Sequence, residues 1–158
     1  MRSTLNPGEL AEGRRMSADS KASEGIIPFG AGVKAGTNPE KQVAAWDGAT
    51  ADDKFKGIAM FSIEGDLDNG HYPDGVPTTV LRKGVIWVKL SDNASAVTAG
   101  DQVAIRNDNL FDKTPLTTGT SGSYGVELTN AEFKTAGQPG EVVKVEIDMP
   151  TATKVVQL

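Results

Sequence analysis

The chain has 158 residues, of which 16 are basic and 21 are acidic, so its formal net charge is −5. This length suits one domain with room for an appended arm. The acidic balance argues against a nucleic-acid-binding protein, because such proteins gain affinity by neutralising phosphates with Lys and Arg. The absence of cysteine excludes disulfides and thiolate metal sites.

The composition favours a β-rich fold. Apolar residues make up 38% and aromatic residues 6%, which predicts a compact core, and 18 Gly with 8 Pro are typical of short strands joined by tight turns. No stretch approaches the roughly 20 apolar residues that cross a bilayer. Residues 1–8 lack the apolar centre of a secretory signal. We therefore expect no membrane partner, and synthesis in a cytoplasm.

The N-terminal segment, residues 1–24, contains few large apolar side chains. Leu5, Leu10 and Met16 are spaced among Gly, Ser, Glu and Arg, and so few apolar groups cannot offset the entropy lost when the segment is ordered alone. The segment is predicted to be an extended, flexible arm, with at most a short helix over residues 8–16. Two interpretations stay open: a disordered terminus, or an arm that orders on a partner through these three side chains.

The rest of the chain, residues 25–158, is predicted to form a single β domain. A short strand at Ile26 and Ile27 ends at Pro28, because Pro cannot donate to a strand ladder. Further strands are predicted at residues 42–46, 56–63, 80–90, 102–106, 110–111 and 141–147, with shorter segments at residues 125–128 and at Phe133. Strands at intervals of about ten residues, separated by turn residues, favour an antiparallel barrel or sandwich.

The most apolar of these strands spans residues 80–90. Both of its faces are apolar near residues 85–88, as in a strand that is covered on both sides. Gly84 interrupts the run and predicts a bulge or a close crossing. The strand, including Trp87, is therefore expected to be buried within the domain or between protomers.

A metal or base site around His71, the only histidine, is weakly supported. Asp66 and Asp68 precede it, but the spacing of a calcium-binding loop fails. Gly70 comes one residue early, and Pro77 takes the place of the bidentate Glu. We interpret the stretch as a solvated turn.

Other catalytic and ligand-binding patterns are also missing. The glycines of residues 30–36 resemble a dinucleotide fingerprint, but the last spacing is one residue too long and no βαβ unit surrounds it. There is no phosphate-binding loop and no Gly-x-Ser-x-Gly elbow. Trp46 and Trp87 lie in apolar strands, which favours packing over stacking on a ligand. We therefore expect no enzyme and no cofactor.

Five segments together resemble a known family, the tailed-phage capsid cement (decoration) proteins. The resemblance spans residues 24–148. In chain order it is carried by EGIIPFGAGVKAGTNPEKQVAAWDG, KGIAMFSIEG, PTTVLRKGVIWVKL, AGDQVAIRNDNLFDKT and GEVVKVEIDMP. It implies a mainly β, jelly-roll-like sandwich or barrel.

The resemblance also implies what the chain does. It would bind the outside of an assembled phage head as a homodimer or homotrimer and clamp neighbouring major capsid subunits together, in the virion and without nucleic acid. The residues expected to contact partners are Leu5, Leu10, Met16, Ile26, Ile27, Phe29, Arg82, Lys83 and Trp87. The alternative is a carbohydrate-binding β-sandwich, an adhesion module on a virion, whose distinguishing feature would be exposed aromatic side chains.

Overall fold

The computed structural model describes residues 6–149 and 153–158, with residues 13–15 as backbone only. Within this described part, all regular structure is β. The strands are β1 (Leu10–Ser23), β2 (Ile27–Pro28), β3 (Gly32–Ala35), β4 (Gln42–Ala45), β5 (Phe55–Ala59), β6 (His71–Tyr72), β7 (Pro77–Lys89), β8 (Gln102–Ile105), β9 (Phe111–Lys113), β10 (Tyr124–Phe133), β11 (Val142–Asp148) and β12 (Thr153–Gln157).

The main sheet closes on itself twice and uses β7 in both closures. Its strand order is β1-β4-β3-β5-β7-β11-β10-β8-β9, and β1 also pairs with β7. At the other end, a bridge between Leu90, directly after β7, and Phe111 in β9 closes the second ring. β12 pairs with β10, while β2 and β6 form a separate two-stranded sheet. The predicted β-rich barrel is thus confirmed, whereas the jelly roll is not.

Strand β7 is central because both of its faces are apolar. It pairs with β1 from Pro77 to Ile86, with β5 at Val80 and Leu81, and with β11 from Lys83 to Lys89, where Val88 is opposite Val143. The side chains of Val80, Leu81, Ile86 and Val88 are at most 2% exposed. The prediction of a strand covered on both sides is therefore confirmed, although Trp87 stays partly accessible.

Two apolar clusters form the core, and the larger one extends from the second ring onto Phe55 and Ile58 of β5. The larger cluster includes Trp46, Ile105, Phe111 and Phe133, and the smaller one includes Ile27. β7 contributes to both, through Val80 in the smaller cluster and through Leu81, Ile86 and Val88 in the larger one. Burial of these side chains on either side of one strand links the two halves mechanically.

A glycine permits the close crossing of β5 and β7. Gly57 has a φ of +148°, and a Cβ built on it would lie 2.3 Å from the carbonyl oxygen of Leu81. Gly84 in β7 also has a positive φ, +145°, beside the position where the register of β1 against β7 shifts. The predicted irregularity at Gly84 is therefore present.

The prediction of a flexible arm is wrong for residues 10–23, which form strand β1. β1 pairs antiparallel with β7 through eight register positions, from Leu10 opposite Ile86 to Ala22 opposite Pro77. Backbone hydrogen bonds to a neighbouring strand, rather than burial of large side chains, order this segment. Leu5 and the rest of residues 1–5 lie outside the described residues.

The end of the chain also differs from expectation. The two short segments predicted near residues 125–128 and Phe133 are one continuous ten-residue strand, β10. β12, which was not predicted, pairs with its first half, where Val126 is opposite Val155. β8 and β9 form a hairpin whose turn contains Asn109, with a φ of +60°.

Candidate functional site

The residues predicted to contact partners are scattered over the fold. Ile27 and Phe29 are 0% and 8% exposed and belong to the smaller core cluster, and Leu10 packs against the larger one. Their side chains face the inside of this chain. Met16 and Ile26, by contrast, are 41% and 59% exposed, so these two are accessible to a partner.

Three of the predicted residues lie close together on the outer surface of β1 and β7. Met16 lies beside Gly84: a Cβ atom placed on Gly84 would be 3.5 Å from the Met16 Cβ. The guanidinium of Arg82 contacts the Asp19 carboxylate at 3.2 Å, and the Lys83 ammonium lies 4.0 Å from Asp148. Exposed pairs of this kind add little stability, and they leave a mixed polar and apolar surface on this pair of strands.

Trp87 is a half-buried residue of the same strand. The ammonium of Lys144 lies 5.7 Å from the centre of its ring, a cation–π contact. Its backbone N–H donates to Glu9 at 3.0 Å and its carbonyl accepts from Gly8 at 2.7 Å. These backbone hydrogen bonds of Trp87 hold Gly8 and Glu9, just before β1, against β7.

A recess of about 750 Å³ opens between β1, β7, β10 and β11. Its rim is acidic, and Lys134 lies 2.9 Å from Glu132 and 3.5 Å from Glu146. The hydrogen bond to Glu132 and the charges of both carboxylates raise the pKa of Lys134. Glu12 in turn lies 3.8 Å from Lys144. These ion-paired groups form a charged surface and offer no free nucleophile.

Residues 66–70 form a turn just before His71, which itself begins β6 and pairs with Pro28. The Asp66 carboxylate accepts from the Asn69 side-chain amide at 2.7 Å and from the backbone N–H of Asp68 at 3.1 Å. The Asn69 side-chain bond, together with that residue's backbone bond, lowers the pKa of Asp66. The predicted turn is therefore present just before His71, whereas His71 itself is a half-buried strand residue. Within the described residues, no three His, Asp or Glu side chains group as ligands for a metal ion.

The low exposure of the aromatic side chains gives the carbohydrate-binding alternative little support. Trp46 and Tyr72 are fully buried, while Trp87 and Tyr124 are only partly accessible. Among the described aromatic residues, Phe61 alone is counted as exposed, at 38%. A sugar-binding surface normally presents a flat, open ring, so the distinguishing feature of this alternative is weak.

A group of exposed apolar side chains between β5 and β6 was not predicted from the sequence. Phe61, Ile63 and Leu67 are 38%, 84% and 51% exposed. The first two were assigned to a strand and Leu67 to a polar turn. Large apolar residues inside a run rich in Gly, Asp and Asn were the available signal, since turns seldom need them.

The described residues contain no helix that is long and apolar enough to span a membrane. A model of the structural cement protein family (E217 gp24/Pam3 gp6) matches residues 2–148. No curated protein sequence matches the chain.

Among solved structures, a chain from "The capsid of Myoviridae Phage XM1" superposes with a TM-score of 0.66 at 20% sequence identity. The superposition covers 94% of this chain and 93% of that one. At 20% identity this similarity concerns the fold alone. The family assignment rests on the family-model match to residues 2–148. The chain belongs to the phage family of structural cement proteins.

Proposed function

We propose that this chain binds the outer surface of an assembled phage head and stabilises it by bridging neighbouring major capsid subunits. The observation that carries the proposal is the match of residues 2–148 to the structural cement family. This family is one of structural proteins and not a class of enzymes. The chain would be made in the host cytoplasm and would act in the virion.

The accessible chemistry of the chain supports a binding role. The carboxylates around the recess are paired with lysines, and the turn at Asp66 uses its carboxylate internally. What stays exposed includes apolar side chains such as Met16, Ile26 and Ile63. Exposed apolar groups are typical of surfaces that bind other proteins.

Stabilisation would follow from linkage. A protein that binds the assembled lattice, but not separated subunits, lowers the free energy of the lattice by its binding free energy. Each contact can be weak, because a copy that bridges two subunits gains from effective concentration and the head presents many equivalent positions. A homodimer or homotrimer of the chain would add further bridges.

The N-terminal segment is proposed to contribute to the contact with the capsid. Met16, exposed in β1, is the residue with which to test this, because its substitution should leave the β1–β7 pairing intact. We expect Met16→Ser to lower the occupancy of the chain on heads without changing its thermal unfolding. Unchanged occupancy would remove β1 from the proposed contact.

The proposal as a whole is tested by co-sedimentation. The purified chain is mixed with mature heads that lack it, and separately with free major capsid protein of the same phage. We expect saturable binding to heads and none to free subunits. Equal binding to both, or binding to neither, would contradict the proposal.

A further inference from the structure

The loop between β5 and β6 presents an apolar surface that the fold does not need. Of the five large apolar side chains that are exposed in the described residues, three lie in it: Phe61, Ile63 and Leu67. We call residues 61–70 the apolar tip. Exposure of Ile63 at 84% forfeits the hydrophobic stabilisation that burial of the side chain would bring, so a binding function is a better explanation than folding.

Contacts at its base hold the apolar tip in place. The rings of Phe29 and Phe61 are 5.1 Å apart, and Phe29 meets Tyr72 edge to face at the same distance. The Tyr72 hydroxyl donates to the carbonyl of Met60, and the N–H of Phe61 donates to Gly8 at 2.8 Å. A loop fixed in this way loses little entropy when it binds a partner.

The surroundings of the apolar tip are acidic. From Gly57 to Leu81 the sequence contains Glu64, Asp66, Asp68 and Asp74 but no Lys or Arg, although the chain has 16 of them. Within the described part of the chain, none of these four carboxylates forms a salt bridge with Lys or Arg. Such a surface is complementary to an apolar socket bordered by Lys or Arg.

The same charges argue against a second copy of the chain as the symmetric partner. A two-fold contact would bring two identical tips together. Glu64, Asp66 and Asp68 of one tip would then face the same three carboxylates of the other, and juxtaposed like charges disfavour an interface. A different, basic surface is therefore the favoured partner.

We propose that the apolar tip docks into an apolar socket, rimmed by Lys or Arg, on a major capsid subunit. This inference rests on the proposed function. Ile63 and Leu67 would fill the socket, and Glu64 and Asp68 would pair with its rim. Apolar anchors at the centre of a contact carry most of its affinity, while charges at the rim set its orientation and its salt dependence.

The test is the binding of purified variants to mature heads that lack the chain. The double variant Ile63→Ser, Leu67→Ser should bind about tenfold more weakly or worse, as expected for the loss of two central anchors. The matched double variant Ile63→Leu, Leu67→Met keeps both positions apolar and should bind like the unaltered chain. Because Ile63 and Leu67 are exposed, both variants should unfold at the temperature of the unaltered chain.

Charge is tested in parallel. Glu64→Lys combined with Asp68→Lys should weaken binding and reduce its sensitivity to salt, because repulsion replaces attraction at the rim. Asp52→Lys and Glu40→Lys, two exposed acidic positions outside the tip, serve as the control for the change in net charge. This control should weaken binding far less than the tip variant.

Two results would overturn the inference while leaving the proposed function intact. In the first, the unaltered chain binds heads and the two Ser substitutions bind equally well. In the second, the Ser substitutions change the mass of the free chain in light scattering, which would make the tip a contact between copies. If the unaltered chain does not bind heads at all, the inference and the proposed function both fail.

Discussion

Lys34 illustrates how single charges stabilise this fold. Its side chain is 14% exposed, and its ammonium lies 2.9 Å from Asp47 and 3.1 Å from Asp53. Burial by itself would lower the pKa of Lys34, but the hydrogen bonds and charges of the two carboxylates outweigh it and the pKa is raised above 10.5. Partial burial by itself would raise the pKa of Asp47, but the hydrogen bonds from Lys34 and from the Ala49 N–H, together with the charge of Lys34, outweigh it, so the pKa is lowered below 3.8.

These shifts predict a pH dependence. A raised Lys pKa contributes stability below about pH 10.5 that is lost above it, and a lowered Asp pKa contributes stability above about pH 3.8 that is lost below it. Lys34→Met should therefore cost about 1–3 kcal/mol at neutral pH, since the half-buried Asp53 loses its cation. Urea titrations of both proteins should show that the difference shrinks below about pH 3.8. A difference that grows with acidity would contradict this account.

A second prediction concerns Gly57, at the crossing of β5 and β7. An added Cβ would meet the Leu81 carbonyl at 2.3 Å, so Gly57→Ala must push β5 away from β7. Gly100 also has a positive φ, +95°, but a Cβ there meets nothing within 4 Å. Gly100→Ala should cost about 1–2 kcal/mol from backbone strain alone, and Gly57→Ala clearly more. Equal losses in denaturant titrations would show that the crossing is looser than described.

Among the elements, the apolar strands were predictable and the polar ones were not. β7 was predicted from its two apolar faces, and β11 from the alternation of Val143, Val145 and Ile147 with charged residues. β1 and β12 were missed, because their side chains are mostly polar or small and their order comes from pairing with β7 and β10. A strand that is ordered by pairing with residues distant in the sequence needs no hydrophobic periodicity of its own, so its sequence gives no pattern to detect.

The same limit applies to the site. Val85, Ile86 and Val88 are buried as expected, but Ile27 and Phe29, expected to contact partners, turned out to be core residues. Which apolar residues of a loop face outward is decided by its packing. Phe29, for example, lies under Phe61 and leaves Ile63 exposed. The sequence contains no such information about orientation.

β1 supplies the prediction at the scale of an element. Removal of residues 1–23 would leave β7 without its β1 neighbour from Pro77 to Ile86 and expose its backbone groups at a new edge. We expect the truncated chain to unfold at a lower temperature and to aggregate. Removal of a separable arm would cause neither effect. Calorimetry and light scattering measure both effects. A truncated chain that melts like the intact one would restore the arm interpretation.

At the scale of the molecule, the two core clusters should unfold together. They share β7, which contributes Val80 to one and Ile86 to the other. Ile27→Ala and Ile105→Ala alter one fully buried residue in each cluster, and each should cost about 2–5 kcal/mol. Both should shift one single unfolding transition. Two transitions, each sensitive to only one of the substitutions, would mean that the rings are independent.

The central proposal is that the chain stabilises an assembled phage head by bridging its subunits. It is tested most directly by the temperature at which heads lacking the chain break apart, measured with and without the purified chain at saturation. Binding at 100 times the dissociation constant contributes about 2.7 kcal/mol per site, summed over many sites. We predict a clear rise in the disassembly temperature, which levels off when the sites are full. Saturable binding with no rise would contradict the account.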